Sequence, residues 1–174
     1  MGLVLLLNAN LLGDPTDVDA KANVTVTVNT IMEWSAPSYT DITLTPPIAA
    51  QSDAPEGSTN FTLYTNGDVH ITANNTTGGA AQLKLGTDPN QTLVTSYMLT
   101  DDGGDGSGYT GGTDQTSYTL YDSFLSPTAY AITHVAGDGA DIITLWAEAK
   151  NPSGEVADAG NYSAIQTLTA AWGE

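Results

Sequence analysis

The chain contains no cysteine and no arginine, and only three lysines and two histidines among 174 residues. Each shortage closes off chemistry. Without cysteine there is no disulfide scaffold, no thiolate metal site and no cysteine nucleophile. Three cations against 20 acids leave a formal net charge of −17. Nothing in such a chain neutralises a phosphate backbone, so neither nucleic acid nor an anionic membrane surface is expected as a partner. His70 and His134 stand without a Glu or His at zinc-site spacing. Each sits at the centre of a short β-type run and is expected to face solvent or a hydrogen bond. There is no Gly-x-Ser-x-Gly elbow, no Walker loop and no dinucleotide fingerprint. Among 20 acids, nothing marks a catalytic carboxylate pair. The expectation is a protein that is not an enzyme.

Long apolar runs are absent too. A membrane-spanning helix needs roughly 20 consecutive apolar residues, and Asn8 and Asn10 interrupt the one apolar stretch well short of that. That stretch is residues 1–12, MGLVLLLNANLL, closed by Gly13-Asp14-Pro15. A secretory signal would carry a basic flank, yet no Lys or Arg precedes Lys21. A run with no polar face must be covered on both sides. The cover is either the chain's own domain, as for an ordinary first strand, or a neighbouring subunit that accepts a donated strand. On the second reading the donor comprises Gly2, Leu3, Val4, Leu5, Leu6, Leu7, Leu11 and Leu12, residues 13–21 form an acidic linker, and residues 22–174 form a β-sandwich body.

What is abundant is β-type alternation. Residues 23–29, Asn-Val-Thr-Val-Thr-Val-Asn, place Val on one face and Thr or Asn on the other, as in a half-buried strand. Similar runs occur at 41–44, 60–65, 69–73, 82–85, 92–100, 117–121, 129–135, 141–149 and 162–172. Turn signals separate them, and Asn66-Gly67 suits a two-residue hairpin between Tyr64 and Val69. About ten strands and no amphipathic helix predict an all-β fold, a single jelly-roll-like β-sandwich with an extended N-terminal strand. Trp34, Trp146 and Trp172 are expected at the core or its rim. Residues 100–115, TDDGGDGSGYTGGTDQ, read as a long surface loop.

That loop offers the one cofactor the sequence admits. Asp101, Asp102, Asp105 and Asp114 are hard oxygen ligands suited to Ca²⁺, although glycine occupies the third and twelfth places of the EF-hand register that starts at Asp101. A solvated acidic loop explains them equally. Asn-x-Ser/Thr occurs at Asn23, Asn60, Asn74, Asn75, Asn90 and Asn161, where random placement of this composition predicts about two. These are candidate N-glycosylation sites on a secreted surface. The same pattern also arises from turn-and-strand chemistry in a Thr-rich β protein.

The apolar first segment, the acidic linker, Ala22-Asn23-Val24-Thr25-Val26-Thr27-Val28, and the closing run Tyr162-Ser163-Ala164-Ile165-Gln166-Thr167-Leu168-Thr169-Ala170 together resemble secreted filament subunits. The families concerned are the archaeal bundling pilins and the TasA-type fibres of bacterial biofilm matrix. The chain lacks the N-terminal helix of type IV pilins. The resemblance implies a jelly-roll body that lends its N-terminal strand to the next subunit, an extracellular location and a homopolymer. The alternative is a cell-surface carbohydrate-binding or adhesin module, with Tyr109, Tyr118 and Tyr121 as stacking faces for glycans.

Overall fold

The computed structural model describes residues 22–35, 40–74, 79–103 and 108–173. The apolar segment 1–12, the linker 13–21, Asn75 and Asp105 lie outside the described residues.

The fold is all-β. Eleven strands are described: β1 (Met32–Trp34), β2 (Glu56–Thr65), β3 (Val69–Ala73), β4 (Lys84–Leu85), β5 (Asp88–Thr92), β6 (Val94–Thr100), β7 (Thr119–Leu120), β8 (Tyr130–Ile132), β9 (Ala140–Lys150), β10 (Tyr162–Ser163) and β11 (Leu168–Trp172). They form three antiparallel sheets, ordered β1-β2-β9-β6-β7, β10-β4-β5 and β11-β3-β8. The spine is β2 against β9 and β9 against β6, in continuous register from Gly57↔Ala147 to Tyr64↔Ala140 and from Val94↔Lys150 to Thr100↔Thr144.

Alternation explains the core. In β3 the inward positions Val69, Ile71 and Ala73 are buried while His70 and Thr72 face solvent. In β9 the inward positions run Asp141, Ile143, Leu145, Ala147 and Ala149. Leu63, Tyr97, Leu99, Ile143 and Leu145 of the large sheet meet Val69, Ile71, Tyr130 and Ile132 of the β11-β3-β8 sheet. Phe124 and Leu125, from the turn after β7, close the layer, with Phe124 against the Tyr97 ring at 5.5 Å. Burying a large aliphatic or aromatic side chain contributes roughly 1.5–3 kcal/mol before the entropic cost of ordering it. The tryptophans sit at the rim. Trp34 packs edge-on against Phe61 at 6.2 Å, Trp146 donates its indole N–H to Thr100 Oγ1 at 3.0 Å, and Trp172 is substantially exposed.

Several expectations are corrected. Residues 23–29 form no strand and belong to no sheet: every residue from 22 to 31 is exposed. Residues 41–44 keep their alternation, with Ile42 and Leu44 half-buried, but the ladder here is one bridge, Thr45↔Glu56. The Asn66-Gly67 turn does not make a hairpin. β2 pairs with β1 and β9 while β3 pairs with β8 and β11, so the turn carries the chain from one sheet to another. The run 162–172 divides into β10 and β11, in different sheets. β5 opens on Asp88-Pro89, a dipeptide of turn-favouring residues.

The loop between β6 and β7 is not merely a surface loop. Gly103, Thr110 and Gly111 are buried. A Cβ on Gly103 would stand 2.2 Å from the Thr110 carbonyl oxygen, and one on Gly111 2.8 Å from the Gly103 Cα. Glycine is what lets the two limbs of this loop touch back to back.

Candidate functional site

Two features stand out from the ordinary packing. The first is a groove of about 670 Å³. Its floor is the inner face of the large sheet, with Phe61, Tyr97 and Leu145, and its walls are Trp34, the 40–44 segment and the 162–168 segment. Tyr97 is fixed there by its hydroxyl, which donates to the Ala81 carbonyl at 2.7 Å; burial pushes its pKa up to about 12. Ile42 and Leu44 project toward the core from one wall and Leu168 from the other. The lining is mostly apolar, and Asp41 is its one charged residue. Among the described residues, the adjoining edge of β2 is paired only in part. β1 covers Leu63, Tyr64 and Thr65, Ser35 N–H reaches the Thr62 carbonyl, and Thr45 bridges Glu56. Among the described residues no strand pairs along Ser58 to Phe61 on that side. An open apolar slot beside an incomplete sheet edge can accept an extended segment.

Beside this groove in sequence lies the segment 22–31. Val24, Val26 and Val28 are 92%, 88% and 70% exposed, and Ile31 is 45% exposed. Among the described residues the segment is hydrogen-bonded at its end: Asn66 Nδ2 donates to the Asn29 carbonyl, Asn66 Oδ1 accepts the Ile31 N–H, and the Ile31 carbonyl accepts the Asn66 N–H.

The second feature is a knot of carboxylates around the β6–β7 loop. Asp101 Oδ1 accepts the Gly103 N–H at 2.9 Å, while its Oδ2 accepts the Gly112 N–H at 2.6 Å and the Tyr130 hydroxyl at 2.5 Å. Burial, then the Asp101 carboxylate, holds the Tyr130 hydroxyl protonated far above its usual range. Asp114 accepts the Asp101 N–H, Asp102 accepts the Ile142 N–H, and Asp138 accepts the Thr110 N–H. Asp101, Asp102 and Asp114 therefore already serve as turn-pinning acceptors. Among the described residues no group of three acids or histidines is arranged to hold a metal ion.

The residue that the sequence reading passed over is Asp141. It is wholly buried, and among the described residues neither carboxylate oxygen accepts a hydrogen bond from a backbone N–H or a hydroxyl, while the Asp102 carboxyl lies near enough to share a proton with it. Burial, then the neighbouring Asp101, Asp102 and Asp138, pushes its pKa up to about 8. The signal lay in the alternation: Asp141 shares the inward face with Ile143 and Leu145.

The three tyrosines differ in exposure. Tyr109 is 63% exposed, but Tyr118 and Tyr121 are half-buried, and Tyr121 packs against the core. Of the sequon asparagines, Asn23, Asn60, Asn74, Asn90 and Asn161 are all exposed. His70 is exposed, and His134 is half-buried with Nδ1 3.4 Å from Thr110 Oγ1.

No family model and no curated relative matches the chain. Among solved structures it is similar to a chain from "Chaperone-tip adhesin complex is vital for synergistic activation of CFA/I fimbriae biogenesis", at 17% identity and a TM-score of 0.37. The alignment covers 82% of this chain and 42% of that one, and no function is carried over from it.

Proposed function

We propose that this protein is a structural subunit of an extracellular filament, a pilus or a biofilm matrix fibre, assembled head-to-tail by strand donation between copies. The observation that carries this reading is the groove. It presents apolar walls beside a β2 edge that the described residues pair only in part, an arrangement that a strand from another chain would complete in both hydrogen bonds and side chains. Donor and acceptor then lie at different places on one subunit, so the contact is heterologous and need not close into a ring.

The sequence nominates Gly2 to Leu12 as an apolar donor. Eleven residues extended at about 3.3 Å each reach roughly 36 Å, enough to cross a sandwich. Such a filament needs no metal and no membrane span; among the described residues no helix is long and apolar enough to cross a bilayer. Purified full-length protein should form long, regular, unbranched filaments under negative-stain electron microscopy, with a threshold concentration. Protein that stays monomeric at every concentration, and instead is retained on a glycan column, would favour the surface-module alternative.

A further inference from the structure

We propose that the segment seated in the groove is residues 22–28 of a second copy, with Val24, Val26 and Val28 as its inward-facing side chains, while residues 29–31 stay bonded to Asn66 of their own subunit; this rests on the filament reading above and identifies its donor. Three observations support it. The segment has strict apolar–polar alternation, Val at 24, 26 and 28 against Asn or Thr at 23, 25, 27 and 29, yet among the described residues no sheet uses it. Three β-branched residues exposed in a row are costly in water and unusual on a free surface. A strand of this pattern needs one apolar wall and one solvent-facing side, which a groove at a sheet edge provides. Sequence spacing thus supplies a donor face, and the fold supplies a slot of matching character.

Charge makes the pairing selective. In a chain of net charge −17, most surfaces of two copies repel each other. Residues 22–31 carry no charged side chain, and Asp41 is the one acid lining the groove. Two copies can meet here with little like-charge opposition. The polar edge of the donated strand keeps Asn23 directed away from the valine face, so a sugar on that asparagine would be compatible with docking. The apolar residues 3–7 then need not enter the slot for subunits to join.

The absence of native cysteine allows an unambiguous test, since every disulfide formed must be an introduced one. Full-length Val26→Cys and Ile165→Cys variants, the second at the exposed groove rim, are mixed and oxidised. The expected product is a covalent heterodimer on a non-reducing gel. The double variant should give a covalent ladder, with filaments of native appearance. Val24→Asp combined with Val28→Asp should cut filament yield at least about tenfold, because a charge would be buried unpaired. Both positions are exposed in the free subunit, so its melting temperature should not change. An intramolecular disulfide confined to monomers would overturn the proposal, because the segment would then fill its own groove. Abundant filaments from the double-Asp variant, with assembly lost instead in Leu5→Asp, would overturn this donor while leaving the filament reading intact. Wild-type protein that neither assembles nor cross-links would remove both.

Discussion

Replacing Asp141 with Asn should stabilise the protein at alkaline pH and flatten the dependence of its stability on pH. The folded chain holds this carboxyl buried, with no backbone N–H or hydroxyl among the described residues donating to it, beside Asp101, Asp102 and Asp138, and its pKa is raised from 3.8 to about 8. Below pH 4 the group is protonated in both folded and unfolded chains and costs nothing extra. Between about pH 4 and 8 the folded state binds a proton that the unfolded state has released. Stability therefore falls as pH rises through that window and levels off above the folded pKa. At about 1.4 kcal/mol per pH unit, the full shift sets an upper limit of roughly 6 kcal/mol, comparable with the whole stability of an ordinary domain. Local relaxation and water entry reduce this, and about 1–3 kcal/mol is the usual scale for a buried unsatisfied polar group. With a urea m-value of about 2 kcal/mol/M, the midpoint of Asp141→Asn should exceed that of wild type by roughly 0.5–1.5 M at pH 9. The difference should shrink steadily as the pH falls toward 4. Urea titrations at pH 4, 7 and 9 measure this, and the difference between variants cancels the general repulsion among the other acids. Parallel curves for the two proteins would refute the protonated-carboxyl account. So would Ca²⁺ that restores wild-type stability at pH 9 but leaves Asp141→Asn unchanged, since that would put a cation against the carboxylate.

The loop beneath that carboxyl gives a packing prediction. Gly103→Ala should destabilise by more than about 2 kcal/mol, because its Cβ would collide with the Thr110 carbonyl and the Gly111 backbone; thermal unfolding with an unaltered midpoint would contradict it. Salt should promote assembly. At −17 per subunit, lengthwise and lateral contacts concentrate like charge, and the Debye length falls from about 30 Å at 0.01 M to about 3 Å at 1 M. Light scattering that stays flat or declines over that range would count against it. Protein from its native source should carry sugar on one or more of Asn23, Asn60, Asn90 and Asn161, all exposed. Peptide mass spectrometry finding all of them bare would exclude this.

How much of this was legible depended on whether a feature is local. β3 was readable to the residue, because Val69, Ile71 and Ala73 are all inward and His70 and Thr72 outward. β9 was readable despite the helix-like composition of residues 145–150, because Ile143 and Leu145 fix a period of two that continues through Ala147 and Ala149. Pairing was not legible. Asn66-Gly67 has the chemistry of a tight hairpin, but whether strands on either side pair depends on which sheets already have room. Thr65 and Asn66 are held by Gly139 and the 29–31 segment instead. Tyr118 and Tyr121 read as exposed aromatics because they lie in a polar stretch, yet Tyr121 N–H bonds to the Thr95 carbonyl and its ring is drawn against the core. The acids of residues 101–114 looked like free ligands, since sequence cannot show that backbone N–H groups will claim them.

Residues 23–29 carry this furthest. Alternation at period two states that a segment has one face to bury; it says nothing about which chain provides the cover. Asp141 is the opposite case, since its place in the alternation puts a carboxyl on a face that folding does bury. In the first, an apolar face promised by the sequence is left outside the subunit. In the second, a charge-bearing group is taken inside without a backbone N–H or hydroxyl donor among the described residues. Both are local choices that conflict with the fold of a single subunit, and such conflicts gather at sites selected for something other than stability. For the valines the conflict ends when a second copy covers Val24, Val26 and Val28. For Asp141 it ends when a proton is bound. The two repairs respond to different variables, subunit concentration and pH. The valine substitutions should therefore change assembly without moving the pH profile of unfolding, while Asp141→Asn should move that profile and leave the assembly threshold at fixed pH and salt where it was.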